Sequence, residues 1–256
     1  MLGPCVPGPI SLTEIGTANS RAVSGRTHQY PFYQPQRIFI AACTVLGPAT
    51  ILLAAATNPP YYGTGPGIAS AVATNASSSE LMDQTHLVAQ LVAAYLLPIG
   101  FLVMVWLANR RTPWLTSIGA GLTFLGFLPL PLYVGQDSLF YDLARWGSDP
   151  QLIDLAQRWN SDGVMTVYGI AFGAGSVFGP AVLGLALWRS RAIPVWSAMC
   201  LTFSRLPALA FGLLPYRAET LVVIVGTALL LIGSLPVAAA VLRQRGVGAT
   251  LSSGAG

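Results

Sequence analysis

The sequence predicts an all-α fold: a polytopic transmembrane helix bundle of six spans, with both termini in the cytoplasm. The first observation is composition, because 54% of the 256 residues are hydrophobic and 9% are charged, whereas an ordinary soluble domain has roughly 25% charged residues. The second is a mean hydropathy of +0.62. The third is the distribution of arginine, which lies mostly at the ends of long apolar runs.

Six apolar runs are long enough to cross a bilayer core, which takes about 20 residues of helix. These runs are roughly 38–57, 87–108, 113–134, 164–188, 193–214 and 221–242. Each run is predicted to be helical, because only a helix satisfies its own backbone hydrogen bonds in lipid. Together they define a transmembrane domain at 37–245.

The two ends of the chain differ from this domain in composition. Residues 1–36 contain Pro and Gly but no continuous apolar core, which argues against a signal peptide or a lipoprotein leader despite Cys5. We predict that 1–36 is a disordered cytoplasmic tail and that 246–256 is a disordered tail at the other end.

The charges predict how the spans are oriented, since cytoplasmic flanks carry an excess of Lys and Arg. With a cytoplasmic amino terminus, only Arg145, Arg158 and Arg217 fall at the outer side. The inner arginines are Arg21, Arg26, Arg37, Arg110, Arg111, Arg189, Arg191, Arg243 and Arg245. The chain is therefore predicted to be a multi-pass protein of the cell membrane.

The net charge of +4 could indicate a nucleic-acid partner. All thirteen basic residues are arginine, however, and most of them flank apolar runs. Their positions predict the lipid bilayer as the partner, and no nucleic-acid partner is expected.

The two larger outer loops have different patterns. The first, 57–83, is rich in Gly, Ser and Pro, which predicts an irregular loop. The second predicts a short amphipathic helix on the outer membrane surface, because Asp154 and Arg158 pair i to i+4 and apolar residues recur at helical spacing. Those apolar residues are Leu152, Leu155, Ala156 and Trp159. This helix either closes the outer end of the bundle or acts as a lid.

The fourth span concentrates small residues at a four-residue spacing, with Gly169 before Gly173 and Gly175 before Gly179. Such pairs let a neighbouring helix backbone approach closely. The neighbour is either another span of the same chain or a second copy, so the sequence predicts no oligomeric state.

One candidate site lies in LTFSRLPALAF, residues 201–211, where Arg205 stands about 16 Å from either end of the fifth span. Exposing a charge at the bilayer centre costs at least about 2.5–3.5 kcal/mol, so Arg205 is predicted to face the interior, beside Thr202. Its acceptor is a carbonyl freed by Pro207, an outer acid reached through water, or the carboxylate, phosphate or carbonyl of a ligand.

The second candidate site is DQTHLVAQ, at the outer end of the second span. Asp83, His86 and Gln90 recur at i, i+3 and i+7 and share one face if the helix starts this early. An acid beside a histidine suits general acid–base chemistry near neutral pH. An Asp at a helix start also commonly caps the helix.

Other residues end at the same predicted level or lie below it. Asp137 and Asp162 lie at the outer ends of the third and fourth spans, and three tyrosines lie deeper. The candidate catalytic residues are Asp83, His86, Asp137 and Asp162. The candidate ligand-binding residues are Arg205, Gln90, Tyr95, Tyr133, Tyr168 and Thr202.

No metal site or cofactor is predicted. Cys5, Cys43 and Cys200 are odd in number and form no metal-ligand spacing. The sequence also lacks GxSxG, a P-loop, a Rossmann glycine pattern, HExxH and CxxC.

The run from THLVAQLVAAYLLPIGFLVMVWLANRRTPWLTSIGAGLTFLG through LWRSRAIPVWSAM resembles a set of uncharacterised actinobacterial six-helix integral membrane proteins. The shared features are a histidine opening the second span, a Gly-rich third span, and an Arg-x-x-Pro-x-Trp pattern at Arg191, Pro194 and Trp196. The resemblance covers about the last 170 residues and implies a fold and a location rather than a reaction. Arg205 is not a feature of that set.

Three function classes remain, and the sequence does not decide whether the protein is an enzyme. The first is a membrane protein that binds an amphiphilic ligand or a partner segment in an outward-facing intramembrane cavity. The second is a membrane enzyme acting on an isoprenoid or lipid, similar in size and helix count to small terpene cyclases. The third, a proton-coupled transporter, usually needs an ionisable relay inside the spans.

Overall fold

The computed structural model describes residues 34–58, 68–147, 149–210 and 216–243, and in these ranges the chain is helical with no strand. The helices are α1 (Gln34–Thr57), α2 (Ile68–Ser77), α3 (Glu80–Asn109), α4 (Pro113–Phe127), α5 (Leu130–Trp146), α6 (Pro150–Asn160), α7 (Gly163–Ser190), α8 (Val195–Phe203), a 3-10 helix (Leu206–Ala210) and α9 (Tyr216–Arg243). The predicted disorder of 1–33 and 246–256 lies outside the described residues. Residues 34–36 belong to α1, which corrects the predicted end of the first tail.

Five helical stretches are long and apolar enough to cross a membrane. They are Gln34–Thr57, Glu80–Asn109, Pro113–Trp146, Gly163–Ser190 and Thr220–Arg243. The prediction of an all-helical bundle with several apolar spans is confirmed in this form. We call the end of the bundle that holds Glu80 and Trp146 the outer end, after the predicted orientation.

The third predicted span is longer than expected. It continues past 134 to Trp146, and a two-residue turn at Leu128 and Pro129 separates α4 from α5. Its 34 residues span about 50 Å at helical rise, well beyond a hydrocarbon core of about 30 Å. We therefore expect the outer part of α5 to project beyond the hydrocarbon core.

The outer loops contain more helix than the sequence predicts. Residues 68–77 form α2 and Glu80 already begins α3, which corrects the prediction of an irregular loop at 57–83. The predicted helix in the second loop is confirmed as α6, with Arg158 Nη2 at 2.7 Å from Asp154 Oδ2.

A separate apolar cluster joins α2, the outer part of α5 and α6, and we call these three elements the outer cap. Its buried members are Ile68, Val72, Phe140, Leu143 and Ala156. Leu152 and Leu155 of α6 remain exposed. Ala156, rather than the whole apolar stripe of α6, is therefore the part buried in this cluster.

The fifth predicted span, 193–214, is not one continuous helix among the described residues. α8 ends at Phe203, Ser204 and Arg205 are non-helical, and a 3-10 helix follows. Proline lacks an N–H and its ring crowds the carbonyl four residues earlier. For Pro207 that carbonyl belongs to Phe203, which is the residue where α8 stops. We call Ser204 and Arg205 the break.

The main core lies where α3, α7, α8 and α9 meet. Its largest fully buried side chains are Leu97, Phe101, Leu183, Leu187, Leu201 and Leu230. α1 packs against α3 and α9, while α4 packs against α7. The contact between α4 and α7 is close because Gly126 lies against Gly175, and Gly179 lies against Thr123. The second glycine pair of the fourth span therefore packs within the chain.

The α4–α7 contact predicts that alanine substitutions at two nearby glycines, Gly175 and Gly173, have different effects on stability. A Cβ on Gly175 would overlap the backbone of Gly126 and Leu122, whereas a Cβ on Gly173 meets no atom within 4 Å. We expect Gly175→Ala to lower the free energy of unfolding in detergent micelles by about 1–3 kcal/mol, the usual effect of overpacking. Gly173→Ala should be neutral or slightly stabilising. Equal stability of the two variants would contradict this packing.

Candidate functional site

Two regions hold the predicted site residues. The first, which we call the outer polar cluster, consists of Asp83, His86 and Gln90 of α3 with Asp137 and Arg145 of α5. The second is the break with Arg205. The first region belongs to α3 and α5, whereas the second follows the end of α8.

The early start of α3 confirms the predicted face of the outer polar cluster. Ser79 is the N-cap residue of α3, and Asp83, His86 and Gln90 are all buried. Residues at i, i+3 and i+7 lie on one side of a helix. This side of α3 faces the protein, and α3 packs against both α1 and α5.

Asp83 is engaged as a structural anchor. Its side chain is 2% exposed, and its Oδ2 accepts hydrogen bonds from Ser78 Oγ at 2.5 Å and from Arg145 Nη2 at 3.3 Å. Asp83 therefore does not cap α3, but ties the turn before α3 to the outer part of α5. Its Oδ1 is buried without a hydrogen-bond partner among the described residues.

His86 bridges three helices. Its Nδ1 lies 2.8 Å from the carbonyl oxygen of Ala54 in α1, and its Nε2 lies 3.7 Å from Asp137 Oδ2 in α5. A carbonyl oxygen only accepts hydrogen bonds, so Nδ1 carries the proton in the neutral ring. Nε2 is then the nitrogen that exchanges a proton, and it faces a carboxylate whose side chain is 22% exposed.

Two glutamines leave acceptors unused next to this network. Gln90 is 8% exposed, and its Oε1 is buried without a partner among the described residues. Gln136 donates from Nε2 to Asn160 Oδ1 at 2.8 Å, while its Oε1 is buried and unpaired in the same part of the chain. Buried polar atoms without a partner are uncommon in native proteins and call for an explanation.

The structure does not join the remaining outer candidates to the cluster. Asp162 is exposed and caps α7 by accepting from Val164 N at 3.2 Å. Tyr95, at 64% exposed, and Tyr168 lie on the outside of the bundle. Tyr133 is half-buried, and its ring packs on Phe172 with centroids 4.8 Å apart. These contacts describe a helix cap and packing residues.

Arg205 sits in the break rather than on a helix face. The residue is half-buried, yet its Nε is enclosed and has no hydrogen-bond partner among the described residues. None of the ion pairs formed by the described side chains involves Arg205. Thr202 is occupied locally, since its Oγ1 donates to Ala198 O at 2.9 Å and packs against Gly184.

The sequence missed the partners that complete the outer polar cluster. Arg145, Ser78 and the Ala54 carbonyl come from three other elements. From the sequence, Arg145 indicates only how the chain is oriented in the membrane, because the predicted third span ends at 134. Local spacing identifies which residues share a helix face, but not which helix lies opposite.

The described residues contain no group of three His, Cys, Asp or Glu side chains arranged to hold a metal ion. A gap between α1 and α3 is lined by Thr44, Pro48, Leu97, Gly100, Phe101 and Met104. It is too small to admit a water molecule, so it does not serve as the predicted ligand cavity.

The anchoring role of Asp83 predicts that Asp83→Asn destabilises the outer cap. Removing the charge weakens two buried hydrogen bonds, and bonds to charged groups contribute about 1.5–3 kcal/mol each. We expect faster amide hydrogen exchange in α2 and the outer part of α5. Glu80→Gln is the matched control, because Glu80 is an exposed acid on the same helical turn and its hydrogen bonds to Gln84 and to Tyr141 of α5 lie at the surface. Similar exchange in both variants would contradict the anchoring role.

Comparison with protein-family models, curated proteins and solved structures finds no match to this chain. The resemblance to actinobacterial six-helix membrane proteins therefore stays a prediction.

Proposed function

We propose that this is a six-crossing protein of the cell membrane with both termini in the cytoplasm, and that it binds the anionic group of an amphiphile at Arg205. The observation that carries the proposal is the enclosed Nε of Arg205 at the break after α8, which has no hydrogen-bond partner in the part of the chain that the structure describes. Contacts with α9 support the crossing number, the position of Arg205 in the sequence supports its depth, and the chemistry of its guanidinium supports the ligand class.

A sixth crossing is supported by contacts that α9 makes with residues 195–210, which comprise α8, the break and the 3-10 helix and which we call the broken segment. Ser197 Oγ donates to Gly233 O at 2.7 Å, and seven residues later the Ser204 carbonyl abuts Gly226. The broken segment and α9 therefore run antiparallel to each other for about 10 Å at helical rise. The 3-10 helix also contacts α9. An even number of crossings also keeps Arg189 and Arg243 on the same side, as the positive-inside rule favours.

The depth of Arg205 supports a functional role for its charge. Trp196 comes five residues after Arg191, one of the predicted inner arginines, and tryptophan is enriched at membrane interfaces. Arg205 follows Trp196 by nine residues, or about 14 Å of helical rise, which is near the middle of a core of about 30 Å. Ionisable groups at this depth face the protein or a wet cavity and commonly mark ligand or ion pathways. Irregular backbone is tolerated there only when protein or a water-filled cavity surrounds it.

The chemistry of the guanidinium defines the ligand class. Arginine offers five N–H donors in a planar fork that matches a carboxylate or a phosphate. Every acidic side chain that the structure describes belongs to the outer end or the outer loops, so a ligand is a suitable source of the missing anion. An amphiphile brings such a group from the bilayer while its chain stays in lipid.

Acid–base catalysis on an isoprenoid or lipid is the second candidate function. It is favoured by the pair of His86 Nε2 and Asp137, which is buried on the histidine side and partly exposed on the carboxylate side. Asp83 is a poor catalytic acid, because Ser78 and Arg145 already bond its Oδ2. The binding proposal ranks first because the outer contacts also have a structural explanation, whereas no described residue bonds the Arg205 Nε.

The proposal is tested with three probes that share one hydrocarbon chain: oleate, oleyl phosphate and oleyl alcohol. The protein is titrated with each in phosphatidylcholine nanodiscs and examined by native mass spectrometry. We expect an anionic probe to bind more tightly than the alcohol. Arg205→Gln should weaken that binding about tenfold or more, since hydrogen bonds to charged groups are worth about 1.5–3 kcal/mol. Arg205→Lys should retain part of the affinity, because it keeps the charge but not the fork.

Arg158→Gln is the control, because Arg158 is exposed and pairs with Asp154 at the surface. Equal binding by wild type and Arg205→Gln, or no preference for anions over the alcohol, would contradict the proposal. The same spectra address the second function: a chemical change in a bound isoprenoid or lipid that disappears in Asp137→Asn would favour an enzyme.

A further inference from the structure

The outer polar cluster, taken together with Gln136, which precedes Asp137 in α5, has a surplus of hydrogen-bond acceptors among the described residues. Three buried oxygen atoms lack a partner among the described residues, namely Asp83 Oδ1, Gln90 Oε1 and Gln136 Oε1. All three lie on the outer parts of α3 and α5. The shortfall is therefore in donors, the opposite of the situation at Arg205.

The charge of this region has the same bias. The outer parts of α3 and α5 carry the carboxylates of Glu80, Asp83, Asp137 and Asp142, and one arginine, Arg145. Arg145 is already bonded to Asp83. A ligand that brings both positive charge and N–H donors would therefore satisfy the region better than a neutral or anionic one.

Gln90 locates the site within the cluster. It lies one helical turn below His86 on the inward face of α3, about 6 Å along the helix axis. His86 in turn places the Asp137 carboxylate 3.7 Å from its Nε2. A buried amide oxygen without a donor among the described residues thus lies one helical turn from the contact between His86 and Asp137.

We propose that the outer polar cluster binds a primary ammonium group, whose N–H donors are accepted by Gln90 Oε1 and by the carboxylate of Asp137. The ammonium belongs either to a free amine or to an amine-bearing lipid headgroup at the outer interface. No covalent step is involved. The site is separate from Arg205 and does not depend on the anion-binding proposal.

The chemical test compares ligands that differ in N–H donors at constant charge. Purified full-length protein in detergent is titrated with ethanolamine and with choline, whose quaternary nitrogen has no N–H. In a second arm, nanodiscs of phosphatidylethanolamine are compared with nanodiscs of phosphatidylcholine, and retained lipid is measured by native mass spectrometry. A preference of about tenfold for ethanolamine identifies a free amine, and a preference for phosphatidylethanolamine alone identifies a lipid headgroup. Absence of both preferences overturns the proposal.

The variants test the role of Gln90. Gln90→Leu should weaken ammonium binding about tenfold, because it removes one charge-assisted acceptor. Gln84→Leu is the matched control, since Gln84 is an exposed glutamine on the same helix. Gln90→Glu should bind more tightly than wild type, and this outcome decides the matter if Gln90→Leu fails to fold. Unchanged binding in Gln90→Glu, or in a folded Gln90→Leu, overturns the proposal. Arg205→Gln should leave ammonium binding unchanged.

Discussion

The arrangement of α7, α8 and α9 depends on a constraint that Pro207 imposes on the backbone. This proline has no N–H for the Phe203 carbonyl, so α8 ends in what we infer to be the middle of the membrane, and the chain continues through the non-helical Ser204 and Arg205 into a short 3-10 helix. Such backbone must be enclosed by protein or line a cavity. Two glycines provide the enclosure: Gly184 of α7 lies against Thr202, and Gly226 of α9 lies against the Ser204 carbonyl. Larger residues at either position would push the neighbouring helix away from the break.

The two candidate sites have opposite polar chemistry. Among the described residues, Arg205 leaves its Nε donor unpaired at the break, while the outer polar cluster leaves acceptors unpaired where α3 and α5 approach the outer cap. Most buried hydroxyls in the described part of the chain are satisfied by a carbonyl of their own helix; Thr123, for example, bonds to the Gly119 carbonyl one turn back. This contrast separates residues that need an external partner from residues that only pack.

Much of the bundle could be predicted from apolar length alone, because bilayer thickness fixes the length of a span. The break could not, because proline occurs in most spans and has different effects. Pro48, Pro98, Pro180 and Pro236 all lie inside unbroken helices, whereas α8 stops before Pro207. Tertiary contacts decide the outcome at each position. Likewise, spacing predicted the shared face of Asp83, His86 and Gln90, but not that α1 and the extended α5 lie opposite.

The central claim is that the broken segment crosses the membrane, and the side on which the end of α9 lies tests it most directly. Cysteine is introduced by Gln244→Cys, or by Ser161→Cys as the outer control, in a chain whose Cys5, Cys43 and Cys200 are replaced by serine. A membrane-impermeant maleimide is then added to intact cells. The account predicts that Ser161→Cys is labelled and that Gln244→Cys is labelled only after the cells are opened. Labelling of Gln244→Cys on intact cells would contradict a sixth crossing and the mid-membrane position of Arg205.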